Sequence, residues 1–152
     1  MPYKDNAIKV SKMIDNHIQV QKLKTTDKQE IIQFWSEAFP DDPPHNAPEK
    51  MLKAKLEVDD LVFVAKNNQQ IIGACMAGYD GHRGWLYAVA VNPAYQRQGI
   101  GNKLVNSAIS ALKEKGCIKL NLQIRADNTQ VANFYRALGF EVEERLSMGC
   151  FI

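Results

Sequence analysis

Apolar residues recur with two different periods along the chain, and the change of period separates strands from helices. Strand-like runs, some alternating and some continuously apolar, occur at residues 17–24, 61–66, 71–79, 85–91, 119–125 and 140–148, with a last short one at 149–152. Apolar residues at helical spacing predict helices over residues 28–39, 49–57 and 102–115, and a further helix between Asn128 and Gly139. Thr25, Thr26 and Asp27 offer cap side chains to the first helix.

The order of these elements predicts an α+β fold. The polar link at residues 67–70 joins two strands into a hairpin, and the turn Tyr79–Gly84 brings in a third antiparallel strand. The helix over 102–115 then makes one crossover to the next strand. We therefore expect a largely antiparallel sheet with one crossover connection.

Composition narrows the class of protein. The chain has 152 residues, 45% of them hydrophobic and 24% charged, which is typical of one soluble globular domain and excludes a disordered or fibrous chain. A net charge of +2 gives no support for nucleic-acid or membrane binding. Cys75, Cys117 and Cys150 lack paired or metal-ligand spacing, so we expect reduced thiols and no metal.

Two expectations concern location and boundaries. Without an apolar run of spanning length or a signal-peptide pattern, the sequence predicts a cytoplasmic protein. Residues 1–16 carry only a weak pattern and are assigned to an N-terminal extension, with a single domain over residues 17–152.

The segment Gln96–Gly101 connects the predicted strand at 85–91 with the predicted helix at 102–115. Glycines let a backbone approach a ligand closely, and the free N–H groups and dipole of a helix N-terminus favour an anion. The segment therefore predicts a ligand that carries phosphate. A nucleotide is one alternative, although the segment lacks the Lys-Ser/Thr ending of a P-loop and the longer spacing of a dinucleotide fingerprint.

Two motifs in order carry a family resemblance. Val91–Gly101, followed by Asn128 and by Asn133–Phe140, resembles the GCN5-related N-acetyltransferases (GNAT), and the likeness extends in element order from about Ile18 to the C-terminus. The resemblance, nearest to small bacterial single-domain members, implies a three-layer fold with helices on both faces of a mixed, mostly antiparallel sheet of six to seven strands. It also implies acetyl transfer from acetyl-coenzyme A to a primary amine of a small molecule or peptide, by direct attack in a ternary complex. Family members often pair, which leaves a homodimer open.

The resemblance also implies roles for particular residues. The family's pyrophosphate loop corresponds to Arg97, Gln98, Gly99, Ile100, Gly101 and Asn102. Val89, Ala90 and Val91 correspond to the strand segment whose backbone binds the pantetheine arm and thioester, where an N–H group can stabilise an oxyanion. Asn128 corresponds to a pantetheine contact, with helix capping as the alternative. Tyr135 corresponds to a general acid for the departing thiolate, with aromatic packing as the alternative.

The general base has no clear counterpart, because Gln123 stands where some family members carry glutamate. His82 is the candidate catalytic base, since histidine exchanges protons near neutral pH; Asp80 or a water chain are the alternatives, and His45 is weaker. Tyr79 and Asp80 are assigned to acceptor binding, although Asp80 can instead cap its turn. The missing glutamate keeps open a second interpretation, a non-catalytic module that senses acyl-coenzyme A.

Overall fold

The computed structural model describes residues 17–152, so the assigned N-terminal extension lies outside the described residues. Five strands form one sheet in the order β1 to β5: β1 Ile18–Lys22, β2 Val62–Asn67, β3 Gln70–Tyr79, β4 Gly84–Val91 and β5 Leu120–Leu122. The first four strands pair antiparallel, and β5 pairs parallel with β4. The predicted α+β, mostly antiparallel sheet is confirmed, but it has five strands among the described residues instead of six to seven.

Four α-helices accompany these strands in the described residues. They are α1 Lys28–Ala38, α2 Pro48–Val58, α3 Ile100–Glu114 and α4 Thr129–Ala137, and short 3-10 turns lie at Thr25–Asp27, Pro44–Asn46 and Pro93–Tyr95. The chain divides into two compact units at Leu122. The first contains the whole sheet with α1 to α3, and the second, Gln123–Ile152, contains α4.

In the first unit, helices pack on both faces of the sheet, as expected. One face carries α1 and α2: the buried Ile31, Trp35 and Leu52 form a core with the strand residues Val62, Val64, Ala74 and Met76. The other face carries α3, where Cys75 lies near the Leu104 carbonyl oxygen at 3.7 Å. Gly73 permits this close packing, because a Cβ there would lie 3.0 Å from the Leu104 side chain.

The predicted final strands over residues 140–148 and 149–152 are wrong. Residues 140–152 contain neither helix nor strand, and the alternating Val142, Leu146 and Met148 are exposed. Alternation describes one strand alone, whereas a strand also needs a partner for its backbone hydrogen bonds. In the described residues no strand ladder includes this segment.

Asp27 has a different role from the predicted cap. No side chain caps α1 or the 3-10 turn before it. The buried Asp27 carboxylate instead accepts a hydrogen bond from Lys66 Nζ at 2.8 Å. A buried charge needs a partner of opposite sign, and Lys66 of β2 provides it.

Among residues 17–152, no helix combines the length and the apolar composition needed to cross a membrane. The cytoplasmic location stays a prediction.

Candidate active site

The site is organised by a β-bulge in β4. The register between β3 and β4 shifts between Ala74 and Met76, and opposite this shift Ala88 has a left-handed φ of 51°. Such a bulge inserts an extra residue and re-aims the strand that follows it. The Trp35 indole Nε1 donates to the Ala88 carbonyl oxygen at 3.0 Å, which anchors the bulge to α1.

Beyond the bulge, β4 continues without β5. Only Gly84–Leu86 of β4 pair with β5, whereas β4 runs on to Val91. Within residues 17–122, the β5 side of Tyr87–Val91 therefore has no ladder strand, and Val89, Ala90 and Val91 are partly exposed. Backbone groups on such an edge can bind an extended ligand by hydrogen bonds.

The glycine turn follows directly. Asn92 Oδ1 accepts from the Ala94 N–H at 2.9 Å, and Gln96 Nε2 donates to the Val91 carbonyl oxygen at 3.2 Å, so side chains fix the path of the turn. Arg97 and Gly99 then adopt left-handed φ values of 63° and 77°. Left-handed residues before a helix turn successive N–H groups toward one concavity that binds anions.

Helix α3 begins at Ile100, two residues earlier than predicted, so Ile100, Gly101 and Asn102 form its first turn. The N–H groups of a first turn have no partner inside the helix. A Cβ built on Gly99 meets no atom within 4 Å, so the space beside the turn is open. The geometry of the turn leaves room for an anion such as a pyrophosphate group, and the binding role of residues 97–102 stays a prediction.

A cavity of about 670 Å³ lies between α2 and the β3–β4 hairpin. Tyr79 and Asp80, predicted to bind the acceptor, are among its lining residues, whereas His82 is not. His45, which is the weaker candidate on the sequence alone, does line the cavity. The remaining lining residues are Lys50, Met51, Ala54, Lys55, Val58, Asp59, Met76, Gly78, Trp85 and Tyr87.

Asp80 serves the turn in which it lies. Its Oδ1 accepts from the backbone N–H groups of His82 at 2.8 Å and of Arg83 at 2.6 Å. These backbone hydrogen bonds stabilise the ionised carboxylate and lower the pKa of Asp80 below its usual value. Asp80 therefore stays charged near neutral pH and is a weak base, which favours binding or turn capping over proton abstraction.

Lys55 and Tyr87 of the cavity were not predicted from the sequence. Lys55 Nζ is buried, pairs with Asp59 Oδ1 at 2.7 Å, and lies 5.9 Å from the centre of the Tyr87 ring. The Lys55–Asp59 spacing of four residues on α2 is a sequence signal for an ion pair. Its proximity to Tyr87 depends on how α2 packs against the sheet.

The second unit contains the other predicted residues. Asn128 precedes α4, and its Oδ1 accepts from the Val131 N–H at 3.4 Å, which is the helix capping expected as the alternative role. Tyr135 is 7% exposed, with edge-on ring contacts to Phe134 and Phe140. Gln123 Nε2 donates to Ser147 Oγ at 2.6 Å. The functional roles of Asn128 and Tyr135 stay predictions.

Comparison with known proteins identifies the family. The sequence profile of the acetyltransferase (GNAT) family matches residues 28–140, and an acetyltransferase of Yersinia pestis is 35% identical over 135 residues, 87% of this chain and 94% of that relative. The chain belongs to the acetyltransferase (GNAT) family. The predicted resemblance, the GNAT fold and the acetyltransferase class are thereby confirmed, as is acetyl-coenzyme A as the acetyl donor.

Solved structures agree on the fold. The ribosomal-protein-S18-alanine N-acetyltransferase of Escherichia coli is 26% identical with a TM-score of 0.70, covering 82% of this chain and 77% of that one. An aminoglycoside N-acetyltransferase in complex with coenzyme A has a TM-score of 0.76 at 21% identity, covering 89% of this chain and 95% of that one. At that identity the second likeness concerns the fold alone.

Proposed function

We propose that this GNAT protein transfers the acetyl group of acetyl-coenzyme A to a primary amine of a small molecule or peptide, by direct attack in a ternary complex. The observation that carries the proposal is the departure of β4 from β5 after Leu86. The segment Tyr87–Val91, which lacks a ladder partner on its β5 side within residues 17–122, leads at one end into the glycine turn and begins at the other with a residue of the cavity. Donor and acceptor can therefore reach the same strand segment together.

The glycine turn is assigned to the coenzyme A pyrophosphate. The N–H groups of residues 97–102 and the dipole of α3 favour negative charge at this point. The Arg97 side chain adds a cation to the same turn, and its left-handed φ is the kind of backbone strain that accumulates at ligand-binding sites. Asn128 is assigned to the pantetheine side through its amide.

The strand segment Val89–Val91 is assigned to the reacting carbonyl. Acetyl-coenzyme A supplies a thioester, whose carbonyl oxygen gains negative charge when an amine attacks. A backbone N–H of this segment stabilises that charge by a hydrogen bond from a fixed position. The bulge at Ala88 sets the position, because it displaces the segment relative to β3.

Proton transfer completes the assignment. Tyr135 donates a proton from its phenol to the departing sulfur. The acceptor amine must lose a proton before it attacks, and His82 is assigned as the base that accepts this proton. Because His82 does not line the cavity, a water molecule carries the proton from the amine to His82. Cys75 takes no part, because burial raises the pKa of its thiol to about 12 and leaves it uncharged.

Calorimetric titration with acetyl-coenzyme A, with ATP as the control, tests the donor site. We expect binding of acetyl-coenzyme A and none of ATP; binding of ATP alone would assign the turn to a nucleotide. Release of free thiol in the presence of amines then tests catalysis. Binding of acetyl-coenzyme A without thiol release from any amine would instead identify the non-catalytic sensor, which the absence of a glutamate at position 123 favours.

A further inference from the structure

Resting on the proposed function, we infer that the acceptor is a primary monoamine carried on an aromatic or large apolar body, and not a polycation. The inference concerns the cavity between α2 and the β3–β4 hairpin. It depends on three observations, namely the charge balance of the lining, two exposed aromatic rings, and a space kept open by a glycine.

The charges of the lining nearly cancel. Two lysines, Lys50 and Lys55, face two aspartates, Asp59 and Asp80, with His45 as a further titratable group. Lys55 and Asp59 neutralise each other at 2.7 Å, and Asp80 already accepts two backbone hydrogen bonds. Polyamines and aminoglycosides carry several positive charges, each of which needs a carboxylate when it leaves water. This lining supplies too few carboxylates to pair with the several ammonium groups of such a molecule.

Two aromatic side chains, Trp85 and Tyr87, form an aromatic wall of the cavity that suits an apolar acceptor. Trp85 and Tyr87 are two residues apart on β4, so they lie on the same face of the sheet, and each is 38% exposed. Exposed aromatic rings that line a cavity offer area for stacking and cation–π contact. Met51, Ala54, Val58 and Met76 complete an apolar lining.

Gly78 keeps space beside this wall. It pairs with Trp85 across the β3–β4 ladder. A Cβ built on Gly78 would lie 3.8 Å from both Lys55 Nζ and the Tyr87 ring, so any longer side chain would project among the cavity residues. Tyr87 immediately precedes the bulge that leads to Val89, so an acceptor body on this wall has its amine near the segment assigned to the carbonyl.

The apolar lining also assists the chemistry. Desolvation disfavours the charged form of an amine and lowers its pKa. A monoamine bound here therefore loses its proton more easily than in water, and this matters in a chain that has Gln123 where some family members carry a glutamate. For a polycation, every further ammonium group would add a desolvation penalty to binding without helping the reacting amine to lose its proton.

The test compares kcat/KM for four amines, measured by thiol release: 2-phenylethylamine, ethylamine, spermidine and kanamycin. We expect 2-phenylethylamine to exceed each of the others by about tenfold or more, since burial of even part of a phenyl ring contributes that much. Preference for spermidine or kanamycin, or equal values for the two monoamines, overturns the inference while leaving acetyl transfer intact. Release of thiol from none of the four, with acetyl-coenzyme A still bound, overturns the inference, whereas the proposed function falls only if peptide amines also release no thiol.

Variants at Trp85 and Gly78 test whether the aromatic wall causes the preference for 2-phenylethylamine over ethylamine. Trp85→Ala and Gly78→Val should each lower kcat/KM for 2-phenylethylamine about tenfold more than for ethylamine, mainly through KM. Trp85→Phe should retain most of the preference because a ring remains. Ile118→Ala removes an exposed apolar side chain of the same unit outside the cavity and is the matched control. Equal losses for both amines in Trp85→Ala and Gly78→Val would contradict the inference.

Discussion

The indole Nε1 of Trp35 donates a hydrogen bond to the backbone carbonyl oxygen of Ala88 at 3.0 Å. Trp35 is completely buried in the core between α1 and the sheet, and Ala88 holds a φ of 51° that is uncommon for a residue with a Cβ. The packing of α1 is therefore coupled to the bulge, and through the bulge to the exposed backbone of Val89–Val91. A buried core residue positions a backbone segment of the proposed active site.

Replacing Trp35 by phenylalanine tests this coupling. The variant keeps an aromatic ring but removes the donor, so the Ala88 carbonyl loses its partner and a small cavity forms. We expect the free energy of unfolding to fall by about 2–4 kcal/mol and turnover to fall with it. Urea unfolding and thiol release measure the two effects. Trp85→Phe is the same substitution at a partly exposed site, and it should lower the free energy of unfolding by less than about 1 kcal/mol. Full turnover in a folded Trp35→Phe variant would show that the bulge does not contribute to catalysis.

Gly99→Ala tests the phosphate cradle. A residue with a Cβ at the left-handed φ of 77° costs about 1–2 kcal/mol, and the new methyl group enters the open space beside the turn. We expect calorimetry to give at least a tenfold weaker affinity for acetyl-coenzyme A, a loss of about 1.4 kcal/mol in binding free energy.

Gly116→Ala is the matched control, because Gly116 has a similar φ of 88° at the opposite end of α3. The Gly116→Ala variant should lose about as much free energy of unfolding as Gly99→Ala and keep its affinity for acetyl-coenzyme A. Equal losses of affinity at both glycines would attribute the effect of Gly99→Ala to backbone strain, and the cradle assignment would fall.

The helices and strands that hydrophobic periodicity predicts well are those defined by a local run of apolar residues. The helix predicted over residues 49–57 is α2, Pro48–Val58, and the strand predicted at 85–91 is β4, Gly84–Val91. The glycine turn was also predicted, because its order between strand and helix is local in sequence. Local patterns therefore located the proposed donor site.

Features that depend on distant partners were not predicted. Nothing in the Ala88 neighbourhood signals a bulge, since alanine fits an ordinary strand and the register shift arises from pairing with β3. Lys55 of α2 and Tyr87 of β4 are 32 positions apart in the sequence, and they meet in the cavity only because α2 packs on the sheet. The alternation after Phe140 indicated a strand, although in the structure no ladder forms there. Periodicity tells which face is apolar, but not what covers it.

The buried pair Asp27–Lys66 gives a stability prediction. Lys66→Met removes the hydrogen-bond donor to Asp27 Oδ1, and within residues 17–152 the other oxygen, Oδ2, is buried without a hydrogen bond. We expect a loss of about 3–5 kcal/mol in the free energy of unfolding, measured in urea. The double variant Asp27→Leu/Lys66→Met removes both charges and should recover at least half of that loss. A single variant as stable as the parent would show that the pair contributes nothing.

Cys75 gives a prediction for alkaline pH. Burial raises the pKa of its thiol from 9.0 to about 12, so between these values the unfolded chain loses a proton that the folded chain retains. The stabilising contribution is therefore complete below about pH 9 and decreases as pH rises toward 12, by up to about 1.4 kcal/mol per pH unit. Urea unfolding from pH 8 to 11 measures the slope, and Cys75→Ala should flatten it. An unchanged slope in Cys75→Ala would assign alkaline destabilisation to other groups.

Tyr135→Phe tests the proposed general acid. The variant keeps the ring that contacts Phe134 and Phe140 and removes only the phenolic hydroxyl. We expect turnover at saturating acetyl-coenzyme A to fall by about 10²-fold, while the affinity for acetyl-coenzyme A changes little, because the proton is needed only as the thiolate departs. Steady-state thiol release and calorimetry measure the two quantities separately.

The control for Tyr135→Phe is the same chemical change at a tyrosine outside the proposed machinery. Tyr95→Phe removes a hydroxyl that accepts a hydrogen bond from Asn67 Nδ2 at 3.1 Å, and it should cost stability but not turnover. If both variants lose turnover alike, the effect belongs to stability and not to proton donation. If neither does, then Tyr135 is an aromatic packing residue, water protonates the thiolate, and the bulged strand with its backbone N–H groups carries catalysis without a side-chain acid.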